Sequence, residues 1–114
     1  MRQVTDEVIQ EMVQALIQAG DPERIVLFGS RARGEDRPDS DVDFLVIDSR
    51  PFGPTRSRRK ALARLYRSLQ GMGVAKDILL YSADEVAYWR DSINHVIADV
   101  LREGRVVYER PETR

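Results

Sequence analysis

The spacing of apolar positions along this chain switches repeatedly between helical and extended periods, and glycine or proline marks most of the changes. Val8, Ile9, Met12, Val13 and Leu16 recur at helical spacing behind Thr5, a capping residue followed by Asp6 and Glu7 in the opening turn. Gly20 and Asp21-Pro22 end that helix. Arg24 to Phe28 reads as a buried strand closed by Gly29-Ser30. Residues 31–40, rich in Arg, Gly, Asp and Pro, read as a loop or a short helical turn. Val42 to Ile47 is a second strand. After the punctuation Arg50-Pro51-Phe52-Gly53-Pro54, a helix is predicted from about Thr55 to Gln70, with Leu62, Leu65, Tyr66 and Leu69 on its inner face. Tyr66 is thereby expected in the core.

Gly71-Met72-Gly73 breaks that helix, and Val74 to Tyr81 forms a third strand with Asp77 in its middle. Ser82 with Glu85 makes a capping box for a helix running through about Tyr88 to Arg90. Ile93, Val96, Ile97, Val100 and Leu101 mark a further helical stretch stopped by Gly104. Arg105 to Glu109 reads as a short closing strand, and Arg110 to Arg114 as a loose tail. Strands alternating with helices predict an α/β (α+β) layer structure, a small sheet covered on at least one side.

Composition narrows the functional classes. A chain of 114 residues is expected to form one domain spanning 1–114. Hydrophobic residues at 42% and charged residues at 32% are globular proportions, not those of a disordered chain. The formal net charge of −1 gives no global attraction to nucleic acid, so direct nucleic-acid binding is not expected. The absence of cysteine excludes disulfides, thiolate catalysis and cysteine-ligated zinc, and it agrees with a reducing, cytoplasmic setting. No apolar run approaches the roughly 18 residues of a membrane span and no leader pattern opens the chain, so neither a span nor a signal peptide is expected.

One constellation carries chemistry. Gly29-Ser30 is followed, ten residues on, by Asp41-Val42-Asp43. Phosphate chemistry needs two things: exposed backbone N–H groups for phosphate oxygens, and paired carboxylates for the accompanying metal. Side chains two apart on a strand share a face, so Asp41 and Asp43 point the same way, about 6.5–7 Å apart. At that spacing they can share one divalent cation or hold two. Val42 should face the opposite side with Phe44 and Val46, into the core. Gly29 admits close approach of a phosphate to the main chain, and Ser30 adds a hydroxyl and an amide. Arg31 and Arg33 are candidates to neutralise phosphate charge, and the sequence does not say which faces the site. Asp77 interrupts an apolar strand, where a buried carboxylate is costly unless paired or metal-bound. Placed beside Asp41 and Asp43, it would complete a triad as further metal ligand or as proton acceptor.

Each piece also has a plainer reading. Gly29-Ser30 can be a simple strand-to-helix turn, Asp41 to Asp43 a solvated turn with an edge residue, and Asp77 an exposed strand residue or a partner for Lys76 or an arginine. The run Arg56-Ser57-Arg58-Arg59-Lys60 opens a helix, where the macrodipole disfavours cations; it reads as a solvated face or as a surface for a partner or an acidic substrate. His95 has no second histidine at ligand spacing and reads as structural or exposed, and Tyr88 and Trp89 as core or interface.

The segment Gly29-Ser30-Arg31-Ala32-Arg33-Gly34, followed by Ser40-Asp41-Val42-Asp43-Phe44-Leu45-Val46, closely resembles the minimal nucleotidyltransferases of the DNA polymerase β superfamily. Their pattern is Gly-Ser, ten residues, then Asp-x-Asp, and the likeness extends over nearly the whole chain. The resemblance implies a nucleotidyltransferase fold, a small mixed sheet with helices packed mainly on one face. It also implies Mg²⁺, two ions at the site, and transfer of a nucleoside monophosphate from a triphosphate, ATP here. By the same carry-over, Asp41 and Asp43 bind the metals, Asp77 is third ligand or base by its strand context, and Gly29 and Ser30 hold the β and γ phosphates. Many stand-alone members of this size are antitoxins paired with an all-helical HEPN toxin, and some transfer AMP onto a tyrosine hydroxyl of that partner. All three acidic positions are filled here, and the C-terminal substrate-binding domain of larger relatives is not expected. Two alternatives stay open: an antitoxin acting by binding alone, and transfer to a small molecule or an RNA end.

Overall fold

A computed structural model describes residues 3–37 and 40–111. Helix α1 (Asp6–Gly20) starts where the Thr5 hydroxyl accepts a hydrogen bond from the Val8 amide at 3.2 Å. There follow β1 (Arg24–Phe28), the single turn α2 (Ser30–Arg33), β2 (Val42–Asp48), α3 (Arg58–Ser68), β3 (Lys76–Ser82), α4 (Ala83–Trp89), α5 (Val96–Glu103) and β4 (Arg105–Glu109). The capping box at α4 forms in full, Ser82 and Glu85 each accepting the other's amide hydrogen. Of the closing tail, residues 112–114 lie outside the described residues, as do residues 38–39 of the loop.

The sheet is mixed, in the order β3-β2-β1-β4. Strand β1 runs antiparallel to β2 and β4, while β2 and β3 are parallel and joined through α3. Parallel pairing demands a crossover, and α3 is that crossover. One face of the sheet carries Ile25, Leu27, Val42, Phe44, Val46, Ile78 and Leu80 against α1 and α3, forming the larger core. The opposite face offers Val26, Leu45 and Ile47 to Val86 of α4 and to Ile97 and Val100 of α5. Strand β2 is central and covered on both sides, which explains its unbroken apolar run.

Two helix boundaries differ from expectation, and local hydrogen bonding explains both. Helix α3 begins at Arg58 instead of Thr55, because Gly53 and Arg56 pair across a tight bridge and Ser57 caps the helix through the Lys60 amide. The final helix begins at Val96, because His95 Nδ1 accepts from the Ile97 amide at 3.1 Å and fixes the N-cap there. Ile93 is therefore outside the helix and 88% exposed. The His95 ring stacks on Trp89 with centroids 4.1 Å apart, whereas Tyr88 is exposed, so Tyr88 is not a core residue.

Two of the four cations in the basic run are engaged within the fold. Arg58 donates to the Leu80 carbonyl at 2.8 Å and forks onto Glu85, which offsets its unfavourable place at a helix start. Arg56 donates to Asp48 at 2.6 Å and lies over the Phe52 ring. Arg59 and Lys60 are exposed.

Asp48, 3% exposed at the exit of β2, is the carboxylate around which the 49–57 loop closes. It accepts from the Arg50 amide at 2.9 Å, from Arg50 Nε at 3.0 Å and from Arg56. Burial alone would raise its pKa, but the bonds from Arg50 and Arg56 outweigh burial and push it below the usual carboxylate range. A lowered folded pKa contributes stability above the ordinary carboxylate value and loses it as pH falls through the lowered one. An Asp48→Ala variant is expected to lose about 2–3 kcal/mol, measured by urea unfolding at neutral pH. The difference from wild type should shrink in acid, and a gap that instead widens there would contradict this assignment.

Candidate active site

The site lies where β1 ends and β2 and β3 begin. In the sheet register Phe28 stands opposite Asp43, and Asp43 stands opposite Asp77. The chain leaves Phe28 through Gly29 directly beside the Asp43 side chain. Gly29 has φ 76 and ψ −157, a backbone state that side chains disfavour. A Cβ at this position would overlap the Asp43 carboxylate and nothing else nearby as closely. The glycine is thus required twice, for its dihedrals and for the space the carboxylate takes.

Ser30 opens α2, whose Ala32 and Arg33 amides fold back onto the Gly29 carbonyl at 3.1 and 3.2 Å. Alternation along β2 places Val42, Phe44 and Val46 in the larger core, as the sequence predicts, and Asp43 with Leu45 and Ile47 on the other face. Asp41 is exposed just before the strand and Asp43 is half-buried. Asp77 is exposed as the second residue of β3, as its plainer reading has it, and not in the middle of the strand. Its parallel pairing with Asp43 nevertheless puts it on the same side of the sheet.

Electrostatics link the three. Partial burial raises the Asp43 pKa first, then the charges of Asp77 and Asp41, with Arg31 and Arg33 opposing. Both arginines act at a distance, because each head group is engaged elsewhere. Arg31 pairs with Asp36 and donates to the Ser40 carbonyl at 2.7 Å, closing the loop that leads into Asp41. Arg33 pairs with Glu35 and with Glu103 of α5. The sequence missed one side chain here. Tyr66, expected in the core, packs its ring there but donates its hydroxyl to Asp77 Oδ1 at 3.2 Å. Tyrosine's polar tip on an apolar body was the available signal.

Among the described residues, no three carboxylate or imidazole groups stand close enough to enclose a cation by themselves. The donor set still fits magnesium, which takes one or two carboxylates and fills its octahedron with phosphate oxygens and water. A cation there would offset the charges of Asp77 and Asp41 that, after burial, disfavour the ionised Asp43.

A mixed sheet with a Gly-Ser corner aimed at carboxylates on two adjacent strands defines a nucleotidyltransferase scaffold. The chain belongs to the polymerase β nucleotidyltransferase family, whose model matches residues 10–113. That family in general uses a nucleoside triphosphate and a divalent metal. Among solved structures, a Sulfolobus solfataricus protein assigned as a nucleotidyltransferase is similar with a TM-score of 0.52 and 18% identity, over 94% of this chain and 91% of that one. A toxin–antitoxin crystallised with AMP-PNP is similar with a TM-score of 0.55 and 17% identity, over 89% of this chain and 73% of that one. At such identities the likeness is one of fold. No curated protein matches the chain significantly. No helix among the described residues is long and apolar enough to cross a membrane.

Proposed function

We propose that this protein transfers AMP from ATP to a tyrosine hydroxyl of a helical HEPN-type toxin and so acts as its antitoxin, in the cytoplasm. The observation that carries the transfer reading is the register Phe28–Asp43–Asp77, which brings the Gly29 corner and carboxylates of two strands to one end of the sheet. The toxin partner rests on the fold shared with a toxin–antitoxin protein and on the family motif.

In this reading Asp41, Asp43 and Asp77 hold magnesium, which when bound neutralises charge on the triphosphate. Gly29 and Ser30 seat the β and γ phosphates with main-chain amides and the serine hydroxyl. The acceptor hydroxyl attacks the α phosphorus in line, its oxygen bonding as the bridge to the β phosphate breaks and pyrophosphate leaves. Asp77, exposed at the rim, is the carboxylate placed to accept the hydroxyl proton. Arg31 holds the loop into Asp41, and Arg31 and Arg33 together lend positive potential. Catalysis is then mainly positioning and charge stabilisation.

The test is transfer of label from α-labelled ATP to the co-purified partner. An Asp41→Asn variant is expected to fold normally and to lose about 100-fold or more in rate. Mass spectrometry of the partner should show an added adenylate on tyrosine with wild type only. Retained labelling would refute the site. Neutralisation of the toxin in cells by the unlabelling variant would favour binding alone, and an adduct on RNA or a small molecule would replace the proposed acceptor.

A further inference from the structure

Resting on the reading above, we infer that Tyr66 is a positioning residue that fixes the Asp77 carboxylate in its working orientation. Asp77 is exposed, and an exposed aspartate is free to change rotamer. Among the described residues its carboxylate accepts one hydrogen bond, from the Tyr66 hydroxyl at 3.2 Å. That hydroxyl is itself held, because its oxygen accepts from the Ile78 amide at 3.0 Å. Strand β3 lies at the sheet edge, so this amide has no neighbouring strand to serve. The phenol therefore clamps two adjacent groups of β3, the edge amide and the carboxylate beside it.

Phenylalanine at 66 would fill the same apolar space beside α3, so the hydroxyl's distinct contribution is this clamp. A tyrosine hydroxyl carries its proton at neutral pH and so can donate to the carboxylate while its oxygen accepts from the amide. Tyr66 is 11 residues from Asp77 along the chain, on the crossover that makes β2 and β3 parallel. The same helix that sets strand order thus also orients the outermost carboxylate. Residues that orient a metal ligand commonly change metal affinity about 10–100-fold when removed.

The experiment uses Tyr66→Phe, Asp77→Asn and the double variant in the full chain. Binding of a fluorescent, non-hydrolysable ATP analogue is titrated with Mn²⁺, and label transfer and thermal melting are measured alongside. Tyr66→Phe is expected to raise the half-saturating Mn²⁺ concentration about 10-fold and to lower kcat more than it raises the KM for ATP. In the Asp77→Asn background the same change should cost less than about twofold, because its target is gone. An effect of Tyr66→Phe that is equal in both backgrounds makes the residue merely structural and overturns the inference, even if melting also falls. An unchanged Mn²⁺ requirement in an active protein overturns it too, leaving the transferase reading intact. A wild type that neither binds the analogue with Mn²⁺ nor transfers label removes both.

Discussion

An Asp43→Asn variant should be at least about 100-fold slower in nucleotidyl transfer and yet, without divalent cation, melt no lower than wild type and by preference a few degrees higher. The two halves have one cause. Asp43 is partly buried and faces the charges of Asp77 and Asp41, so the folded state disfavours its ionised form. A carboxylate with a raised folded pKa adds stability where it is protonated, below the ordinary carboxylate range, and loses that contribution as pH rises through the folded value. At neutral pH the ionised group is therefore a burden, moderated by solvent screening. Asparagine keeps the shape and removes the charge. Melting with and without Mg²⁺ and ATP analogue, across mildly acidic to neutral pH, checks this directly. The wild type should gain on the variant when acidified or when cation is added. A variant that melts well below wild type without cation would show the carboxylate to be structural.

Gly29→Ala should cost the protein both stability and transfer. The backbone state at φ 76 and ψ −157 costs a residue with a Cβ about 1–3 kcal/mol. The new methyl would also overlap the Asp43 carboxylate, forcing that side chain or the strand end to move. The expected total is about 3–4 kcal/mol by chemical denaturation, together with loss of transfer. The two contributions separate in an Asp43→Ala background, where the overlap is relieved and only the dihedral cost persists. Equal losses in both backgrounds would mean that Gly29 and Asp43 do not compete for space.

Much of this was legible before any coordinates, where the signal is local. Thr5, Ser82 and Glu85 cap helices as their types predict, and the alternation of Val42, Phe44 and Val46 already assigned Asp43 to the opposite face. The spacing from Gly29-Ser30 to Asp43 anticipated their meeting, because an antiparallel pair joined by a short loop returns the chain to its own end. What stayed hidden depends on partners distant in sequence. Arg33 meets Glu103 of α5, and within the run read as a solvated face Arg58 meets Glu85 and Arg56 meets Asp48 across a loop, so two of its four cations tie the fold together. The sequence left Asp77 open between a buried ligand and an exposed strand residue, because its apolar neighbours do not say where the strand starts; it stands exposed at the strand entry. Tyr66 fell on the right stripe, but periodicity says nothing about a hydroxyl. The apolar run of β2 likewise could not reveal that Leu45 and Ile47 serve a second core, because a doubly covered strand has no polar face to read.

The parallel register between β2 and β3 has a consequence for how such a chain can change length. Asp43 meets Asp77 only because the two strands start level, and a shift by one residue would turn either carboxylate into the larger core and take Phe44 or Ile78 out of it. Residues added to or removed from the connections at either end of α3 leave that alignment untouched, whereas a single insertion within either strand abolishes it. Natural or engineered variation in length should therefore collect in those joints, and the seven paired positions from Val42 to Asp48 should admit no change in number.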